Sequence, residues 1–180
     1  DLVVPISMTL EREGRIFIAD RSTTRRHVLL LVDQDGDGDM DSPGESSIWL
    51  QRDGNPQLSD LFLPTSVLHI GDGQVLVADA SNSWIYRCQD LDGDGIVEGD
   101  DEVVPWFTAG TENSILTVDA MARRSDGSIF ICDEDLGTVL HLHDLDANGT
   151  ISDLEVTHFI DGQLPYSSVQ APRRLFSLPG

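Results

Sequence analysis

The chain has 180 residues, of which 32 are Asp or Glu and 11 are Lys or Arg, so that its formal net charge is -21. This length is enough to bury a sizeable core as one or two ordinary domains. The acidity argues against nucleic acid as a partner, because phosphate binding requires basic patches. The sequence contains no run of about 18 apolar residues, so we expect no transmembrane helix and no membrane insertion.

Short apolar segments separated by turn-like residues follow one another from the start of the chain. One of them recurs as GRIFIAD (14–20), GQVLVAD (73–79) and GSIFICD (127–133). One apolar segment precedes each of these and two follow it, so every repeat predicts four short strands. No segment shows the period of about 3.6 residues that is typical of an amphipathic helix, so we predict an all-β chain. Four-stranded repeats at intervals of roughly 55 residues indicate the blades of a β-propeller.

The predicted blades cover approximately residues 1–51, 61–107 and 115–160, and residues 168–180 predict one extra strand. Three blades do not close a ring, since propellers usually have roughly four to eight blades and an open array exposes two apolar faces. Two chains could close a six-bladed ring together, or the chain could be part of a longer propeller. We favour the ring and therefore expect a homodimer.

An acidic loop follows the third predicted strand of every repeat. In the second loop Asp90, Asp92 and Asp94 alternate along the chain, and Gly95 takes the sixth place. Carboxylates at the first, third and fifth places can surround one hard cation, and a glycine at the sixth allows a sharp turn. We therefore predict about three Ca2+ ions per chain. The predicted ligands are Asp33, Asp35, Asp37, Asp39 and Glu45 in the first loop, Asp90, Asp92, Asp94, Ile96 and Glu102 in the second, and Asp144, Asp146, Asn148, Thr150 and Glu155 in the third.

The late ligand differs among the loops. The third loop fits the twelve-residue EF-hand loop, with Glu155 at the last place, although strands rather than helices flank it. In the first two loops the glutamates, Glu45 and Glu102, come one residue later. Either the extra residue bulges or another acid supplies the late ligand, the candidates being Asp41, Glu98 and Asp101. No His or Cys joins these carboxylates, which argues against zinc.

The two cysteines, Cys88 and Cys132, lie in apolar strand patterns at different places in their repeats. We interpret them as buried free thiols rather than as a disulfide, so they do not identify the redox compartment. Several calcium loops in one chain favour an extracellular or periplasmic location, where Ca2+ is abundant.

A catalytic centre of a propeller is expected near its axis. The candidates are Asp20, Asp79 and Asp133 at the ends of the second strands, Asp119 on a first strand, and His69. Because the first three recur in every repeat, turn capping is the better interpretation of them. The first strands also put mainly small and apolar residues near the axis, which argues against catalysis.

The segment VADASNSWIY (77–86) resembles the NHL repeat, in which an Asn follows the strand-ending Asp by three places, here as Asp79 and Asn82. The other two repeats match only the Asp. The repeats also resemble gluconolactonase-like propellers. Residues 63–95 resemble the propeller part of secreted bacterial sugar-dehydrogenase-like proteins, which carry similar acidic loops between blade strands. These resemblances imply the propeller architecture.

Together these patterns predict a calcium-stabilised β-propeller that acts as a binding or scaffold module for a small molecule or a protein. The alternative is a lactonase- or sugar-dehydrogenase-like enzyme, or a fragment of one, that binds a small molecule over the central axis.

Overall fold

The structure, a computed structural model, describes residues 2–11, 14–23, 26–108 and 115–160. Twelve β-strands in these ranges form three sheets of four strands each. The first sheet contains β1 (Pro5–Leu10), β2 (Ile16–Arg21), β3 (Arg26–Leu31) and β4 (Ser46–Gln51). The second contains β5 (Pro64–Gly71), β6 (Gln74–Asp79), β7 (Trp84–Cys88) and β8 (Val103–Thr108). The third contains β9 (Val118–Arg123), β10 (Ile129–Asp133), β11 (Thr138–Leu142) and β12 (Val156–Ile160).

In each sheet the strands lie in chain order, and neighbouring strands are antiparallel. The central strands are rich in Val, Ile and Leu, as expected for strands that are covered on both faces. The one helical element in the described ranges is a 3-10 turn, Asp153–Glu155. The prediction of an all-β chain is confirmed, and each of the three repeats forms one four-stranded sheet.

The three sheets share one pairing register between their second and third strands. Ile16 pairs with Leu31 in the first sheet, Val75 with Cys88 in the second, and Ile129 with Leu142 in the third. A residue in one of these hairpins therefore has an identifiable counterpart in the other two.

Each sheet has two faces because side chains alternate along a strand. We call the face that points to the preceding repeat the front face, and the face that points to the following repeat the back face. One core lies between the back of the first sheet and the front of the second; it includes Phe17, Ala19, Val28, Leu30, Trp49, Val75, Val77, Tyr86 and Cys88. The other lies between the second and third sheets; it includes Leu76, Ala78, Ile85, Trp106, Met121, Ile129, Ile131, Leu140 and Leu142.

These two cores hold the sheets together. Leu76, Ile85 and Leu140 have 0% exposed surface, and burial of an aliphatic side chain of this size contributes roughly 1.5–3 kcal/mol. Phe17 and Trp49 add an edge-to-face pair with ring centroids 4.7 Å apart, a geometry that aromatic rings prefer. The sheets therefore associate mainly through apolar faces.

Both cysteines are free and buried, as predicted. Burial raises the pKa of both thiols, that of Cys132 to about 11. Such thiols stay protonated and unreactive near neutral pH.

The extra strand predicted over 168–180 lies outside the described residues. The bounds of the blades and the closure of a ring by two chains stay predictions. No helix in the described part of the chain has both the length and the apolarity that crossing a bilayer requires.

Candidate metal centres

The acidic loops join the third and fourth strands of the sheets. In every loop three acidic side chains each place one oxygen within 4.8 Å of the other two. The trios are Asp33, Asp35 and Asp37; Asp90, Asp92 and Asp94; and Asp144, Asp146 and Glu155. Calcium binds oxygen ligands at about 2.3–2.6 Å, so oxygens at this mutual spacing suit one ion of that size.

Hydrogen bonds to the first aspartate shape each loop, as the second loop shows. The carboxylate of Asp90 accepts the backbone N–H of Gly93 at 2.7 Å and that of Gly95 at 3.0 Å. Asp92 accepts the N–H of Asp94 at 3.1 Å, which continues the turn. Gly95 has a φ of 86°, a left-handed conformation that glycine adopts without steric cost. The loop is therefore folded by its own carboxylates, which point inward.

The late glutamates occupy equivalent positions in the three loops, and all three are buried. One oxygen of Glu155 accepts the N–H of Leu145 at 2.7 Å, and the other accepts that of Ser152 at 2.9 Å. In the first loop Glu45 accepts the N–H groups of Gln34 and Ser42 in the same way. In the second loop Glu102 accepts those of Leu91 and Glu98. Glu45 and Glu102 thus accept one N–H group from the second place of the loop and one from a residue shortly before the glutamate, as Glu155 does.

The first two loops each contain one residue more than the third, and this extra residue lies at a different point in each loop. Ser42 precedes its glutamate by three residues, as Ser152 does, so the first loop is longer before Ser42. Glu98 precedes its glutamate by four residues, so the second loop is longer after Glu98. Between them lies Gly99, with a φ of 84°. These bonds favour a bulge over a late ligand from Asp41 or Asp101.

The environment of Glu155 keeps its side chain ionised. The backbone N–H and the hydroxyl of Ser152 and the N–H of Leu145 donate to it and lower its pKa to about 2. Hydrogen bonds to a carboxylate favour the charged form. At neutral pH the buried glutamate therefore offers a negative oxygen to the loop.

The remaining predicted ligands lie at the fifth and seventh places. The side-chain oxygen of Asn148 accepts the N–H of Thr150 at 2.8 Å, and Ile96 donates its N–H to Asp94 at 2.8 Å. The carboxylate of Asp39 accepts the N–H of Asp41 at 3.2 Å. The seventh residues therefore continue the same turn.

The eighth residue of a loop binds the preceding sheet, a contact that the sequence analysis did not predict. The N–H of Val97 donates to the carbonyl of Trp49 at 2.7 Å, and the N–H of Ile151 donates to that of Trp106 at 2.7 Å. Each contact is an isolated parallel β-bridge to the fourth strand of the preceding sheet. The signal in the sequence is an apolar residue at the eighth place of all three loops, the first being Met40.

Two side chains reinforce these contacts. The amide of Asn55 donates to the carbonyl of Gln51 at 2.8 Å and to that of Val97 at 2.9 Å. The guanidinium of Arg87 donates to the carbonyl of Gly149, the sixth residue of the third loop, at 2.8 Å. Each of these loops is therefore part of a junction between two sheets.

The aspartates considered as catalytic candidates cap turns. Asp20, Asp79 and Asp133 are buried, and each accepts backbone N–H groups from the segment before its first strand and from the turn after its second. The donors include Val3 and Ser22 for Asp20, Leu63 and Ser81 for Asp79, and Leu116 and Leu136 for Asp133. These bonds anchor the entry of the chain into each sheet.

The other two candidates also have local partners. Asp119 accepts the N–H of Glu134 at 2.8 Å, and burial together with the nearby negative charges raises its pKa. The Nε2 atom of His69 lies 3.5 Å from Glu11, and Glu11 also pairs with Arg15. Neither arrangement shows a nucleophile beside a base.

Comparison with protein-family models gives no match, and comparison with curated proteins gives none. Among solved structures, virginiamycin B lyase from Staphylococcus aureus aligns with a TM-score of 0.52 and 11% identity, over 83% of this chain and 40% of the lyase. A streptogramin B lyase aligns with a TM-score of 0.50 and 12% identity, over 82% and 39%. A Thermus thermophilus protein described as a glucose dehydrogenase aligns with a TM-score of 0.47 and 15% identity, over 78% and 44%.

The two lyases are β-propeller proteins. The chain has the β-propeller fold. At identities of 11% and 12% the likeness shows the fold alone. The chain spans about 40% of the length of the two lyases.

Proposed function

We propose that the chain is a calcium-stabilised β-propeller module that serves for binding or as a scaffold in the extracellular or periplasmic space. The observation that carries the proposal is the repetition of one loop geometry in three sheets. Each loop brings three oxygens within 4.8 Å of one another. In a single loop, such convergence of oxygens could arise without a bound ion. Its repetition in three loops of the same construction favours a common ligand.

The donor set fits calcium. Every predicted ligand is an oxygen, which hard cations prefer, and carboxylates dominate. In the third loop the ion would be held by Asp144, Asp146, Asn148 and Glu155 together with the carbonyl of Thr150. Bound Ca2+ would supply positive charge that offsets the repulsion among these acids.

The consequence of calcium binding would extend beyond the loop. Because the eighth residues, Val97 and Ile151, bind the preceding sheet, a loop that is ordered by an ion also stabilises the junction between two sheets. A ligand that binds only the folded state adds its binding free energy to folding. Calcium would therefore stabilise the stack as a whole.

Calorimetric titration and thermal unfolding test this proposal. We expect about three bound Ca2+ per chain, and a melting temperature that falls by roughly 5–10 °C for every site emptied with EDTA, taking a free calcium concentration near 100 times Kd. Magnesium is the control, because it demands smaller octahedral sites. A chain that binds no calcium at millimolar concentration and melts at the same temperature in EDTA would refute the proposal.

The enzyme alternative has less support. Three of its candidates, Asp20, Asp79 and Asp133, use their oxygens to accept backbone N–H groups, so their geometry is explained by folding. These three aspartates therefore give no support to the enzyme alternative.

A further inference from the structure

The stack leaves two apolar sheet faces without another described sheet against them. One is the front face of the first sheet, where Met8 is 73% exposed, Leu10 64% and Ile48 41%. Met8 pairs with Ile18 and Ile48 pairs with Leu29, so these side chains share one face. In the second sheet the counterpart face, with Val75, Val77 and Tyr86, is buried in the first core.

The other is the back face of the third sheet. Phe130 lies on this face. The centroid of its ring is 4.7 Å from that of the His141 ring and 5.0 Å from that of the Phe159 ring. Phe159 is 64% exposed, whereas its counterparts Trp49 and Trp106 are 2% and 7% exposed. The same face of the first sheet, with Phe17 and Trp49, packs against a front face.

We propose that the back face of the third sheet packs against the front face of the first sheet of a second copy of this chain, and that two copies close one ring. The chain itself uses this kind of contact twice, between its first and second and its second and third sheets. A third contact of the same kind in trans extends an interface that already exists within the chain. The proposal rests on the fold and is independent of calcium.

The loop contacts support the same partner. The eighth residues of the second and third loops donate to Trp49 and Trp106 of the preceding sheet. Their counterpart in the first loop is Met40, and the counterpart of the two tryptophans in the third sheet is Phe159. In the dimer the N–H of Met40 would bind the carbonyl of Phe159 in the partner copy.

The front face of the first sheet also has room for a partner. An open groove of about 620 Å³ runs along it and is lined by His27, Leu29, Ile48 and Gln51, among others. The described sheets of two copies would number six, which is within the range of roughly four to eight blades found in propellers. A two-fold axis would make the two junctions between the copies identical.

The solution mass of the 180-residue chain, measured by light scattering or sedimentation, is the first test. We expect twice the 19.7 kDa of a single chain. A folded monomer would overturn the proposal. Assemblies that keep growing beyond two copies would overturn the closed ring.

Substitutions on the two faces provide the second test. Met8→Asp and Phe159→Asp change exposed side chains, so each should leave the chain folded and shift the dimer towards monomer. The matched control is Leu61→Asp, which changes a side chain that is 65% exposed in the connection between the first and second sheets. Circular dichroism verifies folding. A folded dimer with unchanged mass in both face variants would rule out this interface.

An engineered disulfide tests the register independently of the stability of the variants. Met40→Cys combined with Ile160→Cys should give a covalent dimer on oxidation, because the fourth strand and the eighth loop residue form a β-bridge at the two junctions within the chain. Leu61→Cys combined with Ile160→Cys is the control and should stay uncrosslinked. Equal crosslinking of the two pairs would contradict the proposed register.

Discussion

The backbone N–H of Val97 lies 2.7 Å from the carbonyl oxygen of Trp49 and donates a hydrogen bond to it. Val97 is the eighth residue of an acidic loop in the second sheet, and Trp49 is on the outer strand of the first. Ile151 and Trp106 repeat the relationship one sheet further along. Loop folding and sheet stacking are therefore coupled at both junctions in the described structure.

Removing two carboxylates from the second loop should abolish the calcium site proposed for that loop. We expect Asp92→Ala with Asp94→Ala to lower the calcium stoichiometry by one, because both side chains belong to the trio of that loop. The double variant should melt below the wild type in calcium, and the difference should shrink in EDTA. Titration calorimetry and thermal unfolding measure the two effects.

The control for this variant is Asp53→Ala with Asp135→Ala, which removes the same charge from two exposed positions outside the acidic loops. Its stoichiometry should equal that of the wild type. If both double variants lost equal stability in calcium, general charge and not an ion in the loop would be responsible.

Truncating the side chain at the eighth place of the second loop should weaken the junction between the first and second sheets. Val97 is 0% exposed and packs in the first core, so Val97→Ala should lower the free energy of unfolding by roughly 1–3 kcal/mol. The neighbouring Ile96 is 41% exposed, so Ile96→Ala should change the free energy of unfolding by less than about 0.5 kcal/mol. Urea unfolding measures both; equal losses would contradict the role of the eighth place.

Gly149→Ala should lower the free energy of unfolding more than Gly95→Ala. Both glycines hold the sixth place of a loop, and their φ angles are nearly the same, 82° and 86°. A Cβ at Gly149 would lie 2.7 Å from the Nη1 atom of Arg87, whereas a Cβ at Gly95 meets nothing within 4 Å. The left-handed backbone costs both alanine variants roughly 1–2 kcal/mol.

Gly149→Ala should lose about 1 kcal/mol more than Gly95→Ala, because Arg87 must move away from the carbonyl that it binds. Unfolding in urea, in the presence of calcium, measures the difference. A Gly149→Ala variant as stable as Gly95→Ala would show that the bond between Arg87 and the loop contributes nothing.

The buried carboxylate of Asp20 should make stability depend on acid pH. Burial favours the neutral form, but the N–H groups of Val3, Ser22 and Val4 donate to the carboxylate and outweigh it, so the pKa is lowered from 3.8. The folded state therefore holds the proton less tightly than the unfolded state. This stabilisation is present above pH 3.8 and is lost as the pH falls through the lowered pKa.

Asp20→Asn should therefore destabilise the chain at pH 7 and have a smaller effect near pH 3, as measured by urea unfolding at both values. Asp53→Asn, at an exposed position, is the control and should change little at either pH. A destabilisation by Asp20→Asn that is the same at both pH values would show that the charge of Asp20 does not stabilise the fold.

Much of the local structure could be predicted from the sequence. The segment ending in Asp79 and its two counterparts are short, continuous apolar runs bounded by turn residues, as expected for strands covered on both faces. Their recurrence predicted three equivalent four-stranded units. The spacing of Asp90, Asp92 and Asp94 predicted where carboxylates converge, because a loop with a glycine at the sixth place can turn them inward. Burial of Cys88 and Cys132 followed from their apolar neighbours.

The tertiary structure decided what covers these units. Alternation shows that Val75 and Leu76 lie on opposite faces, but it does not show which sheet packs against each face. Glu45 and Glu102 stand one place later than Glu155 in sequence, and only the folded loops show that all three accept N–H groups from equivalent parts of their loops. The bond from Val97 to Trp49 joins residues of different repeats. Sequence periodicity reports local geometry, whereas contacts between repeats depend on how the sheets stack.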